Sequence, residues 1–305
     1  MYCSNSLVKI NGAGARPEGC WPPTLCEDAA VRLSTAEDES EALRFLSLRP
    51  VHTVNLRAFI RDNGLESALN RGEFHGYRNP KGELEGVALV GHATLVEAST
   101  DRALEALARK AQENARAHMI MGEQERIEEF WGYYAEEGQR KRIACRELLF
   151  ELRWPAEALE KVAGLRPATP GDLELILPVQ AAMAERESGV NPLAKDREGF
   201  SRRCGRRIEQ GKTWVLIEDG KLIFKAEIFA ATPEATYLEG IYVDEEERGK
   251  GHGLRCLSQL TRSLLRRTER LCILVNEKNS QAHAFYRKLG FKFTSIYDTI
   301  FLEQN

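Results

Sequence analysis

A glycine-rich loop between a predicted strand and a predicted helix constrains this chain more than any other segment. Gly249, Gly251 and Gly253 fall within five residues, after an apolar strand over 236–243 and before a helix that extends to about residue 268. The start of a helix leaves about four backbone N–H groups unpaired and carries a partial positive charge. Because glycine has no Cβ, an anion can approach these amides closely. The sequence therefore predicts a phosphate-binding turn.

Two common phosphate-binding motifs fit this loop poorly. A Rossmann fingerprint requires G-x-G-x-x-G and an acidic residue about 20 positions later. Here Leu254 follows Gly253, and the region near residue 270 is basic. A P-loop ends in Gly-Lys followed by Ser or Thr, whereas Gly249-Lys250 is followed by Gly251. An enzyme that uses nucleotides stays an alternative, and ATP or NAD would then protect it against thermal unfolding.

The loop resembles the acyl-CoA motif of the GNAT acyltransferase superfamily, which is Arg/Gln-x-x-Gly-x-Gly/Ala between a strand and a helix. Arg248, Gly251 and Gly253 occupy its fixed positions. A second segment is similar to a later helix of the same superfamily, with the pattern Asn279-x-x-Ala282-x-x-x-Tyr286-x-x-x-Gly290-Phe291. The resemblance covers about residues 165–302, and it implies an acetyl-CoA-dependent N-acyltransferase that moves an acetyl group to an amine.

The resemblance also implies which residues contact acetyl-CoA. The loop amides would hold the pyrophosphate, and the backbone of the preceding strand would pair with the pantetheine arm. The expected contacts are Ile241, Tyr242, Val243, Arg248, Gly249, Lys250, Gly251, His252, Gly253, Leu254, Asn279 and Tyr286. Tyr286 would also protonate the departing CoA sulfur, with a buried structural tyrosine as the alternative. Asn279 could instead cap its helix, and His252 is expected to be a surface or packing histidine rather than a catalytic one.

Acetyl transfer to an amine also requires a base, because an alkyl ammonium is almost fully protonated at pH 7. Glu239 lies on the predicted strand 236–243 and shares side-chain parity with Tyr237 and Ile241, so one face carries a single carboxylate. Such a carboxylate can have a raised pKa. We expect Glu239 to be the catalytic base; a structural hydrogen bond or a substrate contact is the alternative. Glu227 on the neighbouring strand, or a water molecule, is the reserve candidate.

The chain divides into two halves of mixed α and β pattern. A hairpin over 73–78 and 84–90 is predicted in the first half, and Thr169, Pro170 and Asp172 mark a helix start in the second. The whole resembles a bacterial two-domain GNAT subgroup, in which a degenerate copy precedes a complete one. We expect a flexible extension or an overlong gene start over 1–28, a degenerate domain over 29–154, a linker over 155–166 and an acetyltransferase domain over 167–305.

The expected fold class is α+β, with two tandem GNAT-like domains that each have a mixed, mostly antiparallel sheet flanked by helices. The first half contains no Arg-x-x-Gly-x-Gly and is not expected to bind CoA in the usual way. The acceptor amine is unidentified and could be a small molecule or a protein. The segment 187–194 is expected to line its site, because acceptor specificity in GNAT proteins usually resides there.

Composition excludes several other classes of protein. The net charge of −3 over 305 residues argues against nucleic-acid binding, and no apolar run is long enough to span a membrane. The seven cysteines are an odd number without a C-x-x-C pair, so neither a disulfide framework nor a metal site is expected, and reduced thiols indicate a cytoplasmic protein. Residues 241–292 include eleven basic and six acidic residues. This excess of positive charge suits a ligand with several phosphates. The alternative function is a CoA-binding regulatory module with little or no catalysis.

Overall fold

The computed structural model describes residues 31–155 and 159–303; the predicted extension over 1–28 lies outside the described residues. The helices are α1 Glu39–Leu46, α2 Val54–Asn63, α3 Asp101–Gln112, α4 Gln124–Tyr134, α5 Leu173–Ser188, α6 Pro192–Glu209, α7 His252–Leu264 and α8 Ser280–Lys288. The strands are β1 Val31–Leu33, β2 Gly72–Arg78, β3 Leu84–Gly91, β4 Ala93–Ala98, β5 Met119–Glu123, β6 Lys141–Leu152, β7 Arg166–Pro167, β8 Thr213–Glu218, β9 Lys221–Ala231, β10 Thr236–Val243, β11 Leu271–Asn276 and β12 Lys292–Leu302.

The element order of the first half repeats in the second. Each half runs strand, two helices, three strands, helix, strand, helix and strand. All neighbouring strands pair antiparallel except β4 with β5 and β10 with β11, which are parallel. The α+β fold of two tandem GNAT-like halves is therefore confirmed.

The two halves exchange their last strands. The twelve strands form one sheet in the order β1-β2-β3-β4-β5-β12-β6-β11-β10-β9-β8-β7. Strand β6 of the first half pairs with β11 of the second half, while β12 of the second half pairs with β5 of the first. The exchanged strands also pair with each other. The sequence did not predict this exchange, because strand pairing between distant segments leaves no local pattern.

Helices cover both faces of the sheet. Alternate residues of β6 point in opposite directions, so Phe150 packs with Leu257 of α7 and Tyr286 of α8, whereas Leu149 packs with the α2 residues Val54 and Ala58. In the first half, α3 and α4 pack together on one face of the sheet, around Leu107 and Phe130. In the second half of the sheet, α2 therefore covers one face, and α7 and α8 cover the opposite face.

Most predicted elements are present with shifted bounds. The hairpin over β2 and β3 and the strand β10 match the prediction closely. At the linker end, Asp172 accepts hydrogen bonds from both Thr169 N (2.7 Å) and Thr169 Oγ1 (2.9 Å), which forms the predicted helix start. Near the C-terminus, β12 is one long strand with a register shift between Phe293 and Ser295.

Candidate active site

The parallel strands β10 and β11 separate after two residue pairs. Thr236 pairs with Leu271 and Tyr237 pairs with Cys272, and the ladder ends there. The rest of β10 remains paired with β9 on its other side. A wedge therefore opens between β10 and β11 in the middle of the sheet, and it exposes backbone N–H and C=O groups that an extended ligand can pair with.

A bulge at Gly240 shapes the β10 side of this wedge. The register with β9 shifts between Glu239 and Tyr242, and Gly240 has a left-handed φ of 60°. The buried ammonium of Lys225 donates to the Gly240 carbonyl oxygen at 3.1 Å. A Cβ on residue 240 would lie 2.8 Å from that ammonium, so the position requires glycine. The bulge re-aims the backbone of β10 toward the wedge.

The glycine loop lies at the start of α7. Gly249 and Gly251 have φ values of 80° and 85°, and a Cβ on either would meet no atom within 4 Å. Gly251 occupies the N-cap position without a side-chain cap, and no acidic residue is present in the first turn of α7. Gly253 has a different reason to be glycine, because its Cβ would lie 2.8 Å from Val243 Cγ2. The uncapped helix start and the open loop fit a diphosphate.

The first half has the same strand arrangement, but its wedge is closed. Strands β4 and β5 pair from Ala93 and Met119 to Leu95 and Met121 and then separate. Arg49 bridges the gap, since its guanidinium forms ion pairs with Glu97 of β4 and with Glu123 at the end of β5.

The helix that follows this closed wedge also differs from α7. Thr100 caps α3 by accepting a hydrogen bond from Ala103 N at 3.2 Å. Asp101 adds a negative charge in the first turn. Neither feature favours an anion at the start of α3.

Comparison with known proteins agrees with this geometry. Residues 209–293 match the family model described as acetyltransferase (GNAT) domain. Residues 209–293 belong to the GNAT superfamily. No curated protein sequence matches it closely enough to count as a relative.

Solved structures share the fold across both halves of this chain. A GNAT-family acetyltransferase from Colwellia psychrerythraea is 13% identical with a TM-score of 0.56, over 90% of this chain and 99% of that one. A GCN5-related N-acetyltransferase from Sphaerobacter thermophilus is 15% identical with a TM-score of 0.56, over 88% and 94%. A tandem GNAT protein from the clavulanic acid biosynthesis pathway is 13% identical with a TM-score of 0.58, over 90% and 98%. These similarities concern the fold.

The two GNAT-like segments predicted to contact acetyl-CoA lie on one side of the wedge. Members of the superfamily typically use acetyl-CoA. Arg248 is exposed and donates to the Val243 carbonyl oxygen at 3.3 Å. Lys250 and His252 lie 3.0 and 3.4 Å from Glu247, so the side chains of both face an acid on the protein surface. Leu254 is half-buried in the core that α7 and α8 cover.

Asn279 and Tyr286 lie at the two ends of α8. Asn279 caps the helix by accepting a hydrogen bond from Ala282 N at 3.1 Å. Tyr286 is only 6% exposed and packs edge-to-face against Phe285 and Phe291. Its hydroxyl makes no hydrogen bond within the described ranges, and burial raises the pKa of this phenol. Asn279 thus caps its helix, Tyr286 is buried, and the Tyr286 hydroxyl is free within the described part of the chain.

A cavity of about 460 Å³ reaches the wedge from the α2 face of the sheet. Both halves line it, with Phe59 and His118 from the first and Phe200, Phe229 and Tyr237 from the second. The predicted segment 187–194 contributes Glu187, Ser188, Val190 and Pro192. Glu239 lines the cavity as well, next to Tyr237 and Phe229. Among residues 31–155 and 159–303, no group of three or more His, Cys, Asp or Glu is arranged to hold a metal ion.

Glu239 belongs to a buried charge network. Arg207 of α6 donates to Glu239 Oε1 at 2.6 Å and to Glu227 Oε2 at 2.5 Å. Lys225 donates to the second oxygen of Glu227 at 3.1 Å. Burial raises the pKa of Glu239, although the positive charge of Arg207 opposes this. Burial acts the same way on Glu227, but the charges of Lys225 and Arg207 outweigh it and lower its pKa.

Two further carboxylates line the cavity. The sequence did not predict Glu147 there, and it predicted Glu187 only as the first residue of the lining segment. Glu187, at the end of α5, has no ion-pair or hydrogen-bond partner in the described part of the chain. Its side chain reaches the solvent in the open cavity. The surrounding protein nevertheless desolvates the carboxylate and raises its pKa to about 7, and the negative charges of Glu239 and Glu147 add to the rise. Glu147 of β6 accepts from Thr299 Oγ1 at 2.7 Å, and burial raises its pKa too.

Local sequence signals for these two residues are weak. Glu187 follows Glu185 and Arg186 in the last turn of α5, a pattern typical of a solvated helix end. Glu147 reaches the wedge only because β6 crosses into the second half of the sheet. A raised carboxylate pKa inside a cavity is the physical signal that identifies both as functional candidates.

Proposed function

We propose that this GNAT protein transfers an acetyl group from acetyl-CoA to an amine by direct attack in a ternary complex. One observation carries the proposal: the wedge between β10 and β11 adjoins the glycine loop at Gly251 on one side and the acidic cavity at Glu239 on the other. A co-substrate and an acceptor can therefore meet at the wedge from opposite faces of the sheet.

Arg248, the loop glycines and the start of α7 would bind the diphosphate of acetyl-CoA, and the β10 backbone over 241–243 would pair with its pantetheine arm. Lys250, His252, Leu254 and Asn279 complete the proposed contacts. Bound acetyl-CoA supplies the thioester carbonyl that the amine attacks and the thiol that leaves. Backbone N–H groups beyond the Gly240 bulge would polarise that carbonyl.

Two carboxylates are proposed to accept the amine proton. Glu239 is held in place by Arg207, which positions it but also favours its ionised form. Glu187 is unpaired and its pKa of about 7 suits a base at neutral pH. As the nitrogen–carbon bond forms and the carbon–sulfur bond breaks, the amine proton would pass to one of them. The Tyr286 hydroxyl would give its proton to the departing sulfur.

The cysteines support direct attack over a covalent acetyl-enzyme. Cys145 lines the cavity, but burial and the charges of Glu147 and Glu187 raise its pKa. A thiol with a raised pKa is a poor nucleophile at neutral pH. Cys204, Cys256 and Cys272 are buried and free. Free thiols are also consistent with the proposed cytoplasmic location. The described helices are all too short or too polar to cross a membrane.

The proposal is tested by CoA release with a panel of amines. We expect wild type to release CoA in an amine-dependent manner and Tyr286→Phe to reduce kcat. Tyr77→Phe serves as the matched control, since Tyr77 is equally buried but belongs to the core of the first half. Unchanged turnover in Tyr286→Phe would remove this residue from the role of acid. CoA binding without transfer to any amine would favour a regulatory module instead.

A further inference from the structure

The charges that line the acceptor cavity are segregated. Glu147, Glu187 and Glu239 gather at the end next to the wedge, where Glu147 lies opposite Asn276 in the ladder between β6 and β11. The other end, around His92, carries the cations Arg71, Lys195 and Arg203 together with Asp196. Aromatic side chains, Phe59, Phe200, Phe229 and Phe301, line the space between.

The basic end lacks matching acids. Arg203 pairs with Asp196 at 3.3 Å. Arg71 and Lys195 form no ion pair or side-chain hydrogen bond within the described ranges, although both lie close enough to His92 to affect it. The pKa of His92 is lowered to about 3, by burial first and then by the nearby cations, so this histidine adds no charge at neutral pH. Three cations thus share one carboxylate, and they present an anion-binding surface.

Arg71 is held in an unusual backbone conformation. Its φ of 56° is left-handed, which non-glycine residues rarely adopt. Its carbonyl oxygen accepts a hydrogen bond from His92 N at 2.8 Å. A Cβ on residue 91 would lie only 2.2 Å from the same oxygen, so glycine at position 91 permits the close approach. These contacts fix the backbone that carries the Arg71 guanidinium at the rim of the cavity.

Arg71 lies far from Glu147, whereas Arg203 is about one helical turn from Arg207, which binds Glu239. The Arg71 carbonyl accepts a hydrogen bond from His92 N, and the His92 carbonyl accepts one from His118 N. His118 lies just before β5, and Glu147 lies on β6. Because β12 lies between these two strands, they are two strand spacings, or about 10 Å, apart. Met119 of β5 lies opposite Phe301 of β12, which in turn lies opposite Ile143 of β6. Glu147 is four residues beyond Ile143, which adds about 13 Å in the direction of the strands. A ligand that contacts both Arg71 and Glu147 must therefore be elongated.

We propose that the acceptor is an elongated amine that carries an anionic group, a carboxylate or a phosphate, at the end remote from the amine. The acidic end of the cavity attracts the ammonium and receives its proton, the aromatic walls contact an apolar spacer, and Arg71, Lys195 and Arg203 bind the anion. This inference rests on the proposed acetyl transfer, and it names the acceptor class for that same site.

The test compares three series of amines of increasing chain length with acetyl-CoA as donor. These are ω-aminocarboxylic acids, ω-aminoalkyl phosphates and alkylamines without an anionic group. Wild type is expected to show kcat/KM values at least about tenfold higher for one anionic series than for alkylamines of the same length, with an optimum at an intermediate length. Which anionic series is preferred distinguishes carboxylate from phosphate.

The variant Arg71→Met/Lys195→Met is expected to reduce the ratio of kcat/KM for the anionic amine to that for the alkylamine by about tenfold or more. Arg102→Met is the matched control, because Arg102 is exposed on α3 and lies outside the cavity. Acetylation of alkylamines as efficient as that of anionic amines would overturn the inference while supporting the proposed function. Transfer to no amine in any series would overturn both.

Discussion

Glu147, from the first half of the chain, lies directly opposite Asn276, from the second half, in the ladder between β6 and β11. The Glu147 carboxylate therefore reaches the wedge, although a wedge residue of β10 such as Glu239 is more than ninety positions away in sequence. The exchanged strand supplies part of the proposed acceptor cavity as well as part of the core. The halves proposed over 29–154 and 167–305 are consequently not independent structural units.

We predict that residues 159–305 alone will not fold cooperatively. Without β6, both β11 and β12 lose a partner strand, and Leu271 and Ile273 lose their contact with Phe150. Thermal unfolding followed by circular dichroism should show no sharp transition. Co-expression of residues 1–158 as a separate chain should restore one. A sharp transition and CoA binding by the isolated second half would contradict the prediction.

The activity should depend on the ionisation of Glu187. Because its pKa is about 7, kcat/KM is expected to rise with pH through that value, and Glu187→Gln should lower the rate and flatten this rise. Glu174→Gln is the control, since Glu174 is an exposed residue of the same helix. A wild-type pH profile retained in Glu187→Gln would assign the titration to another group.

The same pKa makes a prediction about stability. Glu187 binds its proton more tightly in the folded state than at its ordinary pKa of 4.5, so the stability of the wild type should decrease as the pH rises from about 4.5 to about 7. Glu187→Gln removes this dependence. The melting temperature of the wild type should fall more between about pH 5 and about pH 8 than that of the variant. Equal falls would argue against a raised pKa.

Lys225 should be important for both stability and catalysis. Its ammonium is fully buried, pairs with Glu227 and holds the carbonyl of Gly240 in the bulge. Removal of one partner from a buried ion pair costs about 3 kcal/mol or more, so Lys225→Met should lower the urea midpoint and kcat together. Lys221→Met, at an exposed ion pair on the same strand, should change little. An unchanged midpoint for Lys225→Met would show that the bulge does not need its ammonium.

The first half should not bind CoA. Arg49 closes its wedge through Glu97 and Glu123, and Thr100 caps α3. Equilibrium dialysis is expected to give one CoA per chain for the wild type. Arg49→Ala should lower the melting temperature but leave this stoichiometry unchanged, because the cap on α3 remains. Two CoA molecules per chain in the wild type would contradict the account.

Local patterns predicted the elements whose side chains alternate or repeat regularly, such as β10 and the β2–β3 hairpin. They also located the glycine loop, since the spacing of Gly249, Gly251 and Gly253 is itself the signal. They did not predict β6 in full, because its first residues are exposed and charged, and pairing with β12 rather than composition makes them a strand. The ion pairs of Arg49 and the raised pKa of Glu187 were missed for a related reason, because each depends on residues distant in sequence.

Isothermal titration of CoA into wild type, Gly251→Val and Gly82→Val tests the central claim most directly. Both glycines have a left-handed φ, 85° and 84°, and neither has an atom within 4 Å of its Cβ position. The two substitutions therefore impose the same backbone strain, but only Gly251 lies in the proposed diphosphate site. We predict one binding site per chain in the wild type and in Gly82→Val, and affinity at least about tenfold weaker in Gly251→Val. No heat of binding in the wild type, or equal affinities in all three proteins, would contradict the account.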